Sequence, residues 1–350
     1  MKNDILLTII VPIYNVEKYL DECLNSFVRQ TNHSFNVLLI DDGSTDKSGE
    51  IAKNYEKNYK NLFQYIHQEN KGLGGARNTG LNLASSKYVM FFDSDDFMAN
   101  KAIENILKEI KNNDSDIIFF NPIIYDMGTY SYEPWHDSLF IKNDIFKNEE
   151  VINPKQHPEL METEASVCRA IWKNDFLKRI GLRFLEHCRW EDVPPHFLLM
   201  HEANSASFME YEGAYYYRTN SGSQITSGNG KTRLDLKYIY DEIIPFFKSK
   251  GWSRQEKSHM IGFLSNYLFW SIHVVDDEYR KEFIDICHAF FKRISVYQYL
   301  HFVLKTKICL RNKIMVWFLK SNILYKTFYS RAIIGKLMKV FNKVKGMARK

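Results

Sequence analysis

Four runs of β-branched and aromatic residues in the first 96 positions each end in a polar cluster, and this repeat restricts the fold more than any other feature. The runs are LLTIIVPIYN (6–15), FNVLLIDDGS (35–44), FQYIHQEN (63–70) and KYVMFFDSDD (87–96). Their length and composition fit buried strands. Between the first two, VEKYLDECLNSFVRQ (16–30) carries apolar residues at 16, 20, 23, 24, 27 and 28, the spacing of one helix face. TDKSGEIAKNYEKNY reads as a second helix, with Ser44 or Thr45 placed to cap it. KGLGGARNTG (71–80) reads as a Gly-rich loop running into a third helix, ARNTGLNLASS. Strand–helix alternation of this kind predicts an α/β fold with parallel strands and right-handed crossovers. In such sheets a ligand sits beyond the carboxyl ends of the strands. Tyr14 and Asn15, Asp41 and Asp42, the 71–80 loop, and Asp93, Asp95 and Asp96 all fall at those ends.

The remainder is less regular. KAIENILKEIKNND (101–114) predicts an amphipathic helix and DIIFFNPIIYD (116–126) a strand, while 127–165 has no clear period. VCRAIWKNDFLKRIGLRF (167–184) reads as a strand or turn and then a helix closed by Gly181. RWEDVPPHFLLMHEA (189–203) sets Glu191 and Asp192 just ahead of a helix, and 206–228 reads as strands followed by a Ser/Gly-rich loop. From about 231 the pattern is helical. The expected division is therefore 1–230, with halves of about 1–100 and 101–230, and a helical region 231–350.

Charge is unevenly distributed. The chain of 350 residues has a net charge of +5. Residues 301–350 hold 13 Lys and Arg and no Asp or Glu, so the first 300 residues carry 5 − 13 = −8. The two parts face different partners. The five cysteines form no C-x-x-C pair, which argues for free thiols in a reducing compartment and against a zinc site. The N-terminal apolar run has no small-residue cleavage site, so it reads as a strand, not a leader. No apolar run reaches the roughly 18–20 residues that span a bilayer.

Three carboxylates at Asp93, Asp95 and Asp96 repel one another unless solvent or a cation intervenes. Mg²⁺ or Mn²⁺ takes hard oxygen ligands and is commonly held by one or two carboxylates with substrate phosphates. A solvated Asp-rich turn is the competing reading. Lys71 and Arg77, on a Gly-rich segment at a helix start, suit phosphate oxygens. The segment matches neither G-x-x-x-x-G-K-[ST] nor a G-x-G-x-x-G after the first strand.

IIVPIYNVEKYLDECLNSFVRQT, LLIDDGSTDKS, ENKGLGGARNTGL and YVMFFDSDDFM, in this order and at this spacing, closely resemble the family 2 glycosyltransferases of the GT-A fold, which build bacterial capsule, exopolysaccharide and lipopolysaccharide chains. The resemblance is dense over 5–100 and looser over 165–228. It implies that Pro12, Tyr14, Asn15, Asp41 and Asp42 surround the nucleotide base of a UDP-sugar, with Asp42 accepting from uracil. It places Lys71 and Arg77 near the diphosphate. It makes Asp93, Asp95 and Asp96 the D-x-D element that binds ribose and a Mn²⁺ or Mg²⁺ ion, which stabilises the departing nucleoside diphosphate. Glu191 and Asp192 match the family's E-D element, with Asp192 as general base; a plain helix cap is the alternative. Direct displacement then inverts the anomeric centre. YYYRTNSGSQIT (215–226) resembles the family's Y-R…S-I-T segment, with Arg218 and Ser223 closing over the diphosphate or metal, although Gln224 interrupts the pattern.

The basic tail sets Ile333, Leu337, Phe341 and Val344 at helical spacing with Lys336, Lys339 and Lys343 on another face. Such a helix lies in an anionic membrane interface; the alternative is a helix packed on the catalytic domain. A membrane surface suits an acceptor carried on a polyprenyl diphosphate at the inner face of the plasma membrane, and places the protein in the cytoplasm, peripheral to that membrane. No recognition module accompanies the tail to suggest nucleic acid. A nucleotidyltransferase and a non-catalytic sugar-nucleotide-binding scaffold are the other readings. The first lacks its basic Gly-rich signature in VPIYNVEKYL, and the intact acidic elements oppose the second.

Overall fold

The structure is a computed structural model and describes residues 5–135, 137, 140–220 and 230–330. Ser223, Gln224 and the 333–344 helix expected in the tail lie outside the described residues. The chain divides into two compact units, Met1–Leu160 with Glu164–Gln224, and Met161–Thr163 with Ile225–Lys350.

The first unit is built on an eight-stranded sheet. In chain order its elements open with β1 (Leu7–Ile13), α1 (Glu17–Val28), β2 (Phe35–Asp41), α2 (Ser48–Asn58), β3 (Phe63–His67), α3 (Gly72–Leu83), β4 (Tyr88–Phe91) and α4 (Ala102–Asn112). They continue with β5 (Ile117–Phe120), β6 (Ile123–Asp126), β7 (Ser131–Pro134), β8 (Val151–Ile152), β9 (Ala170–Lys173), β10 (Ala206–Met209) and β11 (Tyr216–Thr219). The sheet order is β3-β2-β1-β4-β9-β5-β10-β8, and β11-β6-β7 form a second, small sheet. Strands β1 to β4 are mutually parallel, β9 runs antiparallel between β4 and β5, and β10 is parallel to β5. Every residue of β1 is buried, as expected for a central strand covered on both faces.

Pro12 sits in that central strand without loss of a ladder bond. The Ile10 carbonyl accepts from Phe92 N–H, so even-numbered residues of β1 face β4, whose pairing ends at Ile10 with Phe91. Pro12 lies past that point, where its missing donor is not needed. The sheet opens there, and Asp93 to Asp96 follow immediately.

Three expectations need correction. The single strand expected over 116–126 is two strands in two sheets, because Pro122 lacks an amide to continue the ladder and Asn121-Pro122 turns the chain from β5 into β6. The Gly-rich segment is not a loop: α3 starts at Gly72 and includes Gly74, Gly75 and Arg77. These glycines serve close packing. A Cβ at Gly74 would lie 2.1 Å from the Leu185 carbonyl oxygen, and one at Gly80 2.3 Å from Ile10 Cγ2. Neither Ser44 nor Thr45 caps α2; the helix starts at Ser48, whose N–H donates to Asp46 Oδ1. The stretch without period, 127–165, is held by Arg169, which makes a bidentate pair with Asp137 at 2.6 and 2.7 Å.

The second unit is helical. Its helices span Leu236–Lys248, Arg254–Val274, Asp277–Lys292, Val296–Lys305 and Leu310–Lys320. Ser253 and Glu256 form a reciprocal cap at the start of the longest. No helix among the described residues is long and apolar enough to cross a membrane.

Candidate active site

The parallel arrangement puts the ends of β1, β2 and β4 on one edge, and the antiparallel β9 brings residues 167–169 to the same edge. Asn15, in a left-handed conformation at φ 48°, ties the end of β1 to the β2–α2 loop by accepting from Thr45 N–H at 2.8 Å. Tyr14 beside it is 52% exposed, an aromatic face open to a ligand. Asp41 and Asp42 are buried. Asp41 accepts from Tyr65 Oη at 2.6 Å and Ser44 N–H at 2.9 Å, with His67 Nδ1 at 3.1 Å. Burial would raise its carboxyl, but these hydrogen bonds outweigh burial and hold it below the usual range. Asp42 Oδ1 accepts from Gln68 Nε2 at 2.6 Å and from Lys71 N–H at 2.8 Å. Lys71 keeps its side chain exposed at the start of α3.

Arg77 is the hub. Its side chain is 2% exposed, and Nη1 donates to Glu191 Oε1 and Asp192 Oδ1, both at 2.5 Å, while Nη2 donates to Asp93 Oδ1 at 3.0 Å. The guanidinium therefore joins the acidic turn after β4 to the acidic pair ahead of the helix Val193–Glu202, and Arg77 itself lies 114 positions before Glu191 in sequence. Arg77, expected at the diphosphate, here faces three carboxylates. Asp192 Oδ2 also accepts from Val167 N–H at 3.2 Å. Two residues flanking the pair, His187 and Trp190, adopt left-handed φ of 51° and 57°, which concentrates backbone strain on this loop.

The three aspartates after β4 divide in two. Asp96 is buried and fully engaged: Tyr215 Oη and Arg218 N–H donate to its two oxygens. Burial, then the neighbouring Asp95 and Asp93, push its carboxyl well above the usual range. Asp93 and Asp95 are half-buried and stay at the edge. The expected three-carboxylate cation site is thus not assembled, because Asp96 turns inward to brace the turn. Among the described residues no three His, Cys, Asp or Glu side chains are grouped to cage a metal. Arg218, expected over the diphosphate or metal, is also buried; Nε donates to the Asp95 carbonyl at 2.7 Å and Nη2 to Glu22 at 2.8 Å, and its guanidinium stacks within 5.0 Å of the Phe97 ring centre. It is a strut for the acidic turn. Sequence reasoning missed Gln68, Tyr215, Glu22 and the Val167 amide. Gln68 and Tyr215 are polar groups beside strands, Glu22 lies inside α1, and the Val167 contact is made by a backbone amide that no side-chain pattern records.

Burial raises Glu191 from the ordinary 4.5 to about 8, helped by Asp192 and opposed by Arg77. Asp192 is raised as well, by burial first, against the pull of Arg77. The pair titrates as a unit. Between these values the folded chain binds more protons than the unfolded one, so the pair's contribution to stability is complete below about 4.5 and is lost as pH rises through about 8. Glu191→Gln is expected to flatten the fall in melting temperature between about pH 5 and 8; an unchanged slope in thermal melts would show that Glu191 does not take up this proton.

Comparison with known proteins places the chain among glycosyltransferases. Residues 8–174 match the family model described as Glycosyl transferase family 2. The uncharacterized glycosyltransferase EpsJ of Bacillus subtilis is 31% identical over 255 residues, covering 70% of this chain and 71% of that protein. The minor teichoic acid biosynthesis protein GgaB of the same organism is 30% identical over 260 residues, 69% of this chain and 27% of GgaB. Residues 1–349 of S. aureus TarS, crystallised with UDP-GlcNAc, superpose with a TM-score of 0.72 at 20% identity, covering 94% of this chain and 92% of that one. The last likeness establishes a shared fold, GT-A.

Proposed function

The chain belongs to glycosyl transferase family 2, and on that premise we propose that it moves a hexose or N-acetylhexosamine from a UDP-sugar to a hydroxyl of a lipid-linked glycan, with inversion, in bacterial surface-polymer synthesis. The observation that carries this reading is the convergence of Asp93 and the Glu191-Asp192 pair on Arg77 at the carboxyl edge of the sheet. The UDP-GlcNAc complex of TarS supports the donor class, and the role named for GgaB supports the polymer class.

Tyr14, Asp42 and Gln68 line the place for the base, and Lys71 faces the diphosphate. Asp93 and Asp95 are half-buried at the edge, and their carboxylates are a donor set that fits Mg²⁺ or Mn²⁺ held by one or two carboxylates with the diphosphate completing the shell. When bound there, the cation offsets the charge that builds on the leaving nucleoside diphosphate. Asp192 is the base. Its side chain is 13% exposed against 7% for Glu191, and Arg77 and Val167 fix its plane. It takes the proton of the acceptor hydroxyl as that oxygen bonds to the anomeric carbon. The bond from that carbon to the phosphate oxygen breaks on the opposite face, and its electron pair leaves with UDP. The basic tail, 301–350, holds the protein at the cytoplasmic face of the plasma membrane, where the acceptor resides.

The test is a panel of UDP-, GDP- and dTDP-sugars, with and without Mn²⁺, read by thermal shift and by donor hydrolysis. One UDP-sugar is expected to raise the melting temperature and to be slowly hydrolysed only with Mn²⁺, and Asp95→Ala to lose both. A response confined to another nucleotide, or independent of metal, overturns the donor or the metal assignment respectively.

A further inference from the structure

The helix Val296–Lys305 is inside out. Its face toward the helix Arg254–Val274 carries Phe302 and the polar Gln298, whose amide donates to the Arg254 carbonyl at 2.9 Å and to Ser258 Oγ at 2.8 Å. Its opposite face is apolar. Val296, Tyr297, Leu300 and Leu304 fall in a sector of about 100°, and all four are exposed, Tyr297 and Leu304 by 78% and 76%. A helix docked by one face on a soluble domain puts polar residues on the other. Leu310 and Trp317, on the next helix, are exposed too. A clustered apolar surface, unlike scattered single residues, marks a place of contact.

Charge identifies the occupant. After Asp285 the chain has no acidic residue. Lys292 at the end of the preceding helix and Lys305 and Lys307 at the end of this one are exposed, while Arg293 pairs with Asp241 at 3.7 Å. A second copy would bring the same cations against each other. The last twenty residues of the chain carry seven Lys and Arg and no acid, so they do not complement this face either. An apolar stripe rimmed by cations fits the interface of an anionic bilayer, where the side chains enter the acyl boundary and the lysines meet headgroups. We propose that the outward face of Val296–Lys305, led by Tyr297, Leu300 and Leu304, is the surface by which this protein inserts into an anionic lipid interface. The inference rests on the membrane reading above and moves its apolar anchor to an element upstream of the tail helix.

The experiment is co-sedimentation of the full chain with vesicles containing phosphatidylglycerol and with vesicles of phosphatidylcholine alone. The wild type is expected to bind the anionic vesicles, and Leu300→Ser/Leu304→Ser to bind them roughly tenfold or more weakly, with unchanged melting temperature and donor hydrolysis. Lys336→Gln/Lys339→Gln/Lys343→Gln is expected to keep a measurable share of binding. A stripe variant that binds like wild type overturns the inference and leaves membrane association standing on the tail. A wild type that binds neither vesicle overturns the membrane reading and the inference with it. Self-association of the wild type that the stripe variant abolishes, seen by analytical ultracentrifugation, assigns the face to a second copy and also overturns it. Should the double variant melt early, Tyr297→Ser carries the same comparison.

Discussion

Asp192→Asn is expected to lower the turnover of sugar transfer by about 10²–10⁴-fold, the usual contribution of a positioned general base, while donor-induced thermal stabilisation stays near wild type. The reason is local. The asparagine oxygen still accepts from Arg77, so the guanidinium keeps its position between the two acidic elements. Its amide nitrogen then meets the Val167 N–H, which loses its acceptor. That loss costs about 1–3 kcal/mol, and removal of one buried negative charge offsets part of it. The fold survives, donor binding survives, and only the proton acceptor is gone. Glu191→Gln is the control, because Glu191 is deeper and raised to about 8, so it holds a proton at neutral pH. It is expected to reduce turnover less than Asp192→Asn. Steady-state transfer assays on the two variants decide the matter. Transfer by Asp192→Asn within threefold of wild type removes Asp192 from the chemistry, and a reversed ranking moves the base to Glu191.

The sequence carried the frame of this site and left its wiring obscure. Strands β1, β2 and β4 were legible because they are apolar runs ending in polar clusters, and a parallel sheet forces those ends onto one edge. The pair Glu191-Asp192 was legible as a motif ahead of a helix. The pairing of that motif with Arg77 was not, since nothing local records a contact across more than a hundred residues. The inward turn of Asp96 was hidden for a similar reason: its partners, Tyr215 and the Arg218 amide, arrive from β11 and the turn before it. Pattern reading also treats glycine clusters as loops. In α3 the glycines instead let a helix approach the 182–187 segment and β1 more closely than any side chain permits. Strand β6 was merged with β5 because both are apolar, and only the proline between them signalled that the chain changes sheets.

Arg77→Met is expected to destabilise the first unit by about 3–5 kcal/mol, the cost of leaving buried charges without their partner. The melting temperature should drop by roughly 6–20 °C. Methionine keeps most of the volume, so the loss is electrostatic more than steric. Without the guanidinium, Glu191, Asp192 and Asp93 face one another across a space from which water is excluded at the first two. Two consequences separate this account from a simple packing defect. Carboxylates that have lost their cation take up protons at higher pH than in wild type, so the gap in melting temperature between variant and wild type should narrow as pH falls toward 5. Adding Asp93→Asn should restore part of the lost stability, because it removes one of the repelling charges that faced the lost guanidinium, and the double-mutant cycle should show a coupling of about 0.5–3 kcal/mol. Activity is expected to be lost in Arg77→Met and not regained in the double variant, since Asp192 then lacks the group that fixes its plane. Strictly additive melting temperatures, or a gap independent of pH, would mean that Arg77 fills space at this edge and does not hold the two acidic elements together.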